Sequence, residues 1–220
     1  MIAPLTQFAI RGVIWYQGEA NADNRAPLYA HLFPTMIRDW RRAWDEGDFP
    51  FLFVQIANWN TEPGENWPAV RDAQRKALAL RNTGMVVTID IGDPVDIHPK
   101  NKLDVGLRLA RAARAITYGE KREWSGPLYR QLTREDHAMQ VWFDHADGLT
   151  AKGGVLVGFE VAGADGKYVA GDATIDGTSV VVSSPTVPDP ASVRYAWAPN
   201  PTCNLYNREG LPASPFQAPE

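Results

Sequence analysis

Two short stretches of this 220-residue chain carry side chains whose types and spacing suit bond cleavage. One is Gln17-Gly18-Glu19, which ends the apolar run Gly12–Tyr16. The other is Asp93-Pro94-Val95-Asp96-Ile97-His98-Pro99-Lys100-Asn101. His98 is the natural candidate for the base of an acyl transfer, taking the proton of a hydroxyl nucleophile and returning it to the leaving alcohol. Asp96 stands two positions earlier, where an extended loop points both side chains the same way, so it is the candidate orienting acid. Asp93 is the competitor. The plainer alternatives are a histidine that closes a helix and solvated loop carboxylates. Glu19 with Asp96, in a site formed on oligomerisation, supplies a different option, because a glycosidase needs two carboxyl groups about 5–9.5 Å apart. Asn58, Trp59 and Trp67, after a later apolar run, could form a sugar-binding rim, since aromatic faces cover the apolar faces of sugars.

The elements that must position these groups follow from hydrophobic patterning. Residues 10–16, 51–57 and 85–90 are short, strongly apolar runs with polar tips, as expected of buried parallel strands whose C-terminal ends open on a crevice. Tyr29 to Trp44 has helical spacing, with Pro34 expected in its first turns. A helix from about Ala69 to Arg81 and another starting at Pro99 complete the alternation. Leu103, Leu107, Ala110 and Ala113 are expected to line the buried face of the latter. On that placement His98 sits at a helix start, where the dipole disfavours imidazolium and a nearby carboxylate offsets it. This alternation predicts an α/β fold with a parallel sheet. From Ser125 onward, short alternating runs separated by turn residues (139–143, 155–161, 173–175, 180–182) predict a small antiparallel sandwich. The expected domains are 1–122 and 123–220.

Trp15-Tyr16-Gln17-Gly18-Glu19 and Asp96-Ile97-His98-Pro99 together resemble the sialate O-acetylesterase family, a carbohydrate-esterase branch of the SGNH (GDSL-like) hydrolases. The resemblance continues through Trp67–Gln74, Ser125–Tyr129, Val193–Trp197 and Asn204–Asn207. It implies a partial SGNH-type (flavodoxin-like) sheet followed by a β module, and hydrolysis of acetyl esters on carbohydrates without metal or organic cofactor. It gives His98 the role of base, Asp96 that of orienting acid, and Gln17 that of the amide completing the oxyanion hole. Glu19 then shapes the loop. The family's nucleophilic serine belongs upstream of the Trp-Tyr-Gln-Gly-Glu block. Only fourteen residues precede Trp15 and none is serine. The chain therefore reads as the C-terminal part of such an enzyme, weakly active by itself, with the nucleophile outside it. In the family's strand order, residues 10–16 lack a neighbour, and this unprotected apolar edge predicts pairing with another chain. A two-fold dimer is the first expectation and a missing N-terminal segment the other. A glycan-binding module without catalysis is the remaining reading.

Composition excludes several classes. The net charge is −4, from 22 basic and 26 acidic residues that are interspersed, so nucleic acid is not an expected partner. No apolar run has the length of a membrane-spanning helix. Residues 1–12 lack a signal-peptide pattern, and the single Cys203 leaves the compartment unread, although resembling proteins are often periplasmic, secreted or lysosomal. His137 and His145, near Asp136, Asp144 and Asp147, fit no metal spacing and read as loop residues. Ser125 lacks a strand-to-helix elbow and reads as hinge, not nucleophile.

Overall fold

Phe51-Leu52-Phe53-Val54-Gln55 is buried at every position, and a strand of that kind needs cover on both faces. In the computed structural model, which describes residues 2–219, it is the central strand β2 (Phe51–Gln55) of a three-stranded parallel sheet. Its neighbours are β1 (Val13–Trp15) and β3 (Thr83–Val87), in the order β1-β2-β3. All three strands are shorter than the apolar runs that announce them. Residues 10–12, 56–57 and 88–90 extend into loops.

The two faces of the sheet are covered differently. Phe51 and Phe53 meet Phe33, and Trp15 meets Phe33 and Trp40, in an aromatic cluster under α1 (Ala26–Trp44). The helix begins three residues before Tyr29, so Pro34 is its ninth residue and lies in the interior. It leaves the carbonyl of Ala30 without a donor four residues on. α2 (Trp67–Lys76) packs beside α1. The other face, Leu52, Val54 and Val86, is covered by Val105, Leu109 and Ala112 of α3 (Lys102–Ile116).

The buried face of α3 differs from the sequence expectation, of which only Ala113 packs on the core. Leu103 and Leu107 are 72% and 58% exposed, and Val105, Leu109 and Ala112 are inside. Both stripes have helical spacing, and only the docking of the helix selects between them. α3 also starts at Lys102, capped by Asn101, whose Oδ1 accepts from the Asp104 backbone N–H at 3.1 Å. Pro99 therefore lies in the preceding loop. Because α3 covers β2 and β3, Ile14 on the same face of β1 is left 67% exposed.

A second compact unit begins at Ser125. Its strands are β4 (Leu128–Glu135), β5 (Ala138–Asp144), β6 (Thr150–Ala151), β7 (Phe159–Ala162), β8 (Val169–Ala170), β9 (Asp172–Asp176), β10 (Ser179–Ser183), β11 (Ser192–Tyr195), β12 (Leu205–Tyr206) and β13 (Phe216–Ala218). Two antiparallel sheets, β4-β5-β10-β9 and β13-β11-β7-β8, share one core in which Val141, Phe143, Val180 and Val182 meet Phe159, Val161, Val193 and Phe216. The expected strand 155–161 forms only from Phe159. Gly158 at φ +98° turns the chain before it. Ser125 is buried and donates to the Gly126 carbonyl at 2.8 Å, while its own carbonyl accepts from Asn207 Nδ2 at 2.8 Å.

α2 carries an unusual buried polar face of Arg71 and Gln74, both fully buried. β1 and β2 part after the Trp15–Phe53 pair, which strips β2 of its ladder partner. Gln74 replaces that partner: its Oε1 accepts from Ile56 N–H at 3.0 Å, and its Nε2 donates to the carbonyls of Val54 and Gln17, both at 3.1 Å. Replacing Gln74 by Leu strands the Ile56 N–H and the Val54 carbonyl in the interior, while the Gln17 carbonyl keeps the Tyr29 hydroxyl, so Gln74→Leu should lower stability by about 2–5 kcal/mol. Urea unfolding is the measurement. A loss below about 1 kcal/mol, the size of a single hydrogen bond, would overturn this assignment.

Candidate active site

Where β1 and β2 diverge, the loop after β1 and the loop after β3 border an open cleft of about 290 Å³. Its walls include Tyr16, Gln17, Glu19, Ile97, His98 and Lys102. The structure thus places Gln17, Glu19 and His98, far apart in sequence, on one concavity.

The β1 loop is tightly seated. Gly18 is buried, and a Cβ there would lie 2.9 Å from Ile56 Cγ2 and 3.0 Å from Gln74 Nε2, so a side chain has no room. Gln17 follows Tyr16 out of the sheet with its carbonyl held by Gln74 and by the Tyr29 hydroxyl at 3.1 Å. Its side-chain Nε2 donates to Asn21 Oδ1 at 2.9 Å, and Tyr29 O–H also reaches Gln17 Oε1 at 3.3 Å. Burial pushes the Tyr16 phenol up to about 12, with the Glu19 charge adding to the shift and a hydrogen bond with Thr88 opposing it. The Lys102 ammonium lies 5.2 Å from the centroid of the same ring.

The His98 loop is fastened at its root and open at its tip. Asp90 pairs with Arg108 of α3 at 2.7 and 2.8 Å, and Arg108 also donates to the Val87 carbonyl. Gly92 N–H donates to Asn58 Oδ1 at 2.8 Å, and Asn60 N–H donates to the Pro94 carbonyl at 3.1 Å. A Cβ at Gly92 would fall 2.1 Å from the Asn58 carbonyl oxygen. Beyond Pro94 the loop is shaped by Asx turns, in which Asp93 accepts from Val95 N–H and Asp96 from His98 N–H, both at 2.9 Å. Asp96 Oδ1 lies 3.8 Å from His98 Nδ1, an ion-pair distance that is too long for a hydrogen bond. The His98 side chain is 88% exposed and precedes α3 by four residues, so the dipole expected from a helix start is not at hand.

Two candidates for the sugar rim take other roles. Trp67 is 1% exposed and donates to the Ala57 carbonyl at 2.8 Å, with Trp59 packed on it at 5.2 Å. It belongs to the core and has no face for a sugar. Asn58 is turned into the fold as the anchor of Gly92. Trp59 is half-buried against Trp67 and does not line the cleft. Glu19 lines the cleft of the single chain and Asp96 does not. Residues 1–124 contain neither serine nor cysteine. Asn21, Tyr29, Gln74 and Lys102 are the groups sequence reasoning passed over. Gln74 and Asn21 stand in or beside the resembling blocks, yet nothing in their spacing shows that they converge on Gln17.

The family described as carbohydrate esterase, sialic acid-specific acetylesterase, matches residues 2–115, the stretch that holds both loops. The chain belongs to this family. A carbohydrate acetylesterase from Xanthomonas citri is 44% identical and superimposes with a TM-score of 0.95 over 98% of this chain and 52% of that one. The sialate O-acetylesterases of Mus musculus and Rattus norvegicus are each 30% identical over 99% of this chain and 46% of their own length. The chain of this family member thus spans about half the length of the relatives it matches.

Asn58→Ala should free the root of the His98 loop without touching the cleft. Losing the Gly92 partner is expected to speed amide exchange at Gly92 by about 5-fold, the value of one hydrogen bond of roughly 1 kcal/mol. Hydrogen exchange read by NMR tests this. Unchanged protection would mean that Asn58 does not anchor the loop.

Proposed function

We propose that this chain contributes the base and an oxyanion donor of an acetyl-ester hydrolase site that acts on O-acetylated carbohydrates, sialic acid among them. The observation that supports it is the meeting of Gln17 and His98 on one cleft in a member of an acetylesterase family. In this reading the nucleophilic serine comes from outside these 220 residues. Its hydroxyl attacks the acetyl carbonyl while His98 takes the proton. Asp96 faces the other ring nitrogen and favours the imidazolium that forms. A Gln17 N–H holds the oxyanion, a contribution of about 2.7–4 kcal/mol where such donors have been removed. Collapse releases the sugar hydroxyl with the proton from His98, and water repeats the sequence on the acetyl-enzyme.

The 220-residue chain alone should hydrolyse p-nitrophenyl acetate weakly or not at all. In the assembly that carries the serine, His98→Ala should abolish turnover and Asp96→Asn should lower kcat by about 10⁴. Robust, His98-dependent hydrolysis by the isolated chain would overturn the placement of the nucleophile. A larger effect of Asp93→Asn would make Asp93 the orienting acid.

The uncovered side of the sheet belongs to the same reading. Ile14, Leu103 and Leu107 are exposed on the α3 side, and β1 is paired only with β2, so the edge can accept another polypeptide. Without a covering segment, a two-fold dimer is the expected form. Light scattering on a sizing column should give twice the 24.4 kDa chain mass at micromolar concentration, and Ile14→Lys should halve it. A monomeric parent protein would overturn self-association.

A further inference from the structure

Gln17 has two side-chain protons and a carbonyl oxygen, and an oxyanion donor is useful only if one of those protons is aimed before the substrate arrives. An unrestrained glutamine on an open loop samples many rotamers and can flip its amide. Here both ends of the amide are engaged. Nε2 donates one proton to Asn21 Oδ1 at 2.9 Å, and Oε1 lies 3.3 Å from the Tyr29 hydroxyl.

We propose that Asn21 and Tyr29 are positioning residues that clamp the Gln17 amide, leaving its second N–H directed into the cleft. This rests on Gln17 being the oxyanion donor. The sense of the amide follows from the partners. The Tyr29 hydroxyl has one proton, and the acceptors within its reach are the Gln17 backbone carbonyl at 3.1 Å and Gln17 Oε1 at 3.3 Å. That proton is shared between the two oxygens, so Oε1 faces the phenol and the amide nitrogen is turned to Asn21 at 2.9 Å. Burial raises the Tyr29 phenol to about 12, so it remains a donor throughout the neutral range. Asn21 is placed by a single turn of 3-10 helix (Glu19–Asn21), in which its N–H donates to the Gly18 carbonyl at 2.9 Å. The tight seat of Gly18 thus fixes both Gln17 and its acceptor.

The Gln17 side-chain amide can be read directly by ¹⁵N relaxation in the 220-residue chain. It should be ordered in the parent and fall below an order parameter of about 0.6 in Asn21→Leu and in Tyr29→Phe. Asn21→Asp keeps the acceptor and should keep the order. An amide equally ordered in both loss variants overturns the clamp, and so does loss of order in Asn21→Asp, which would mean that residue 21 donates. In the assembly that carries the nucleophile, Asn21→Leu should lower kcat about 10- to 100-fold with KM within about twofold, and Asn21→Asp should recover most of that loss. If Gln17→Ala slows turnover about 10²-fold and Asn21→Leu does not, the clamp alone is wrong. If Gln17→Ala leaves the rate unchanged, the oxyanion role falls and the clamp's function with it.

Discussion

The amide of Gln74 is the joint on which the site depends. A parallel sheet can open a crevice at its C-terminal end only if adjacent strands part, and parting leaves backbone groups without ladder partners. Gln74 offers an acceptor and two donors at the end of one buried side chain. It satisfies Val54 on β2 and Ile56 just beyond it as a strand would, and it holds the Gln17 carbonyl beyond the end of β1. Arg71 of the same helix continues the substitution, donating to the carbonyls of Ile56 and Ala57 at 2.9 and 2.7 Å. The buried polar face of α2 is therefore the means by which the sheet is split and its split ends kept dry.

From this joint the two halves of the site are supported in different ways. The Gln17 loop is pinned from within, by side chains that are buried and fully engaged. The His98 loop is bolted at Asp90 and Gly92, then runs free through Asx turns to a histidine in solvent. Such a division suits the two tasks proposed for Gln17 and His98. An oxyanion donor gains from fixed geometry, since dipoles that need no reorganisation stabilise developing charge most. A base must exchange its proton with partners in turn, and its environment is completed when a nucleophile and an ester close over it.

One face of the sheet is covered only in part. α3 covers β2 and β3 but leaves Ile14 open. Residues 1–124 supply His98, Glu19 and Gln17 to the cleft and contain no serine or cysteine. The relatives are about twice as long as the region they share with this chain. The second unit is internally complete by comparison. Tyr195 accepts from Leu205 N–H at 2.9 Å, and Asn207 ties Ser125, His145 and Leu211 together, which accounts for two of the resembling C-terminal blocks as packing and turn chemistry.

Sequence by itself determined the class of the fold and the two stretches that meet at the cleft. Uniform burial along Phe51–Gln55 and polar tips after apolar runs are local signals, and they suffice for a parallel sheet with its ligands at one end. The family was legible in the Trp-Tyr-Gln-Gly-Glu and Asp-Ile-His-Pro blocks. What sequence left undecided depends on which surfaces meet. α3 has two apolar stripes of equal period, and docking buried Val105 and Leu109 where Leu103 and Leu107 were expected. Trp67 and Asn58 carry the chemistry of a sugar rim, yet the sheet and the Gly92 loop claimed both, because a buried N–H or carbonyl must find a partner before any ligand does. Asn21 and Tyr29 announce nothing alone. They acquire a role only because tertiary structure folds a 3-10 turn and a helix around one amide, and hydrogen bonding between side chains so placed has no period to read in a sequence.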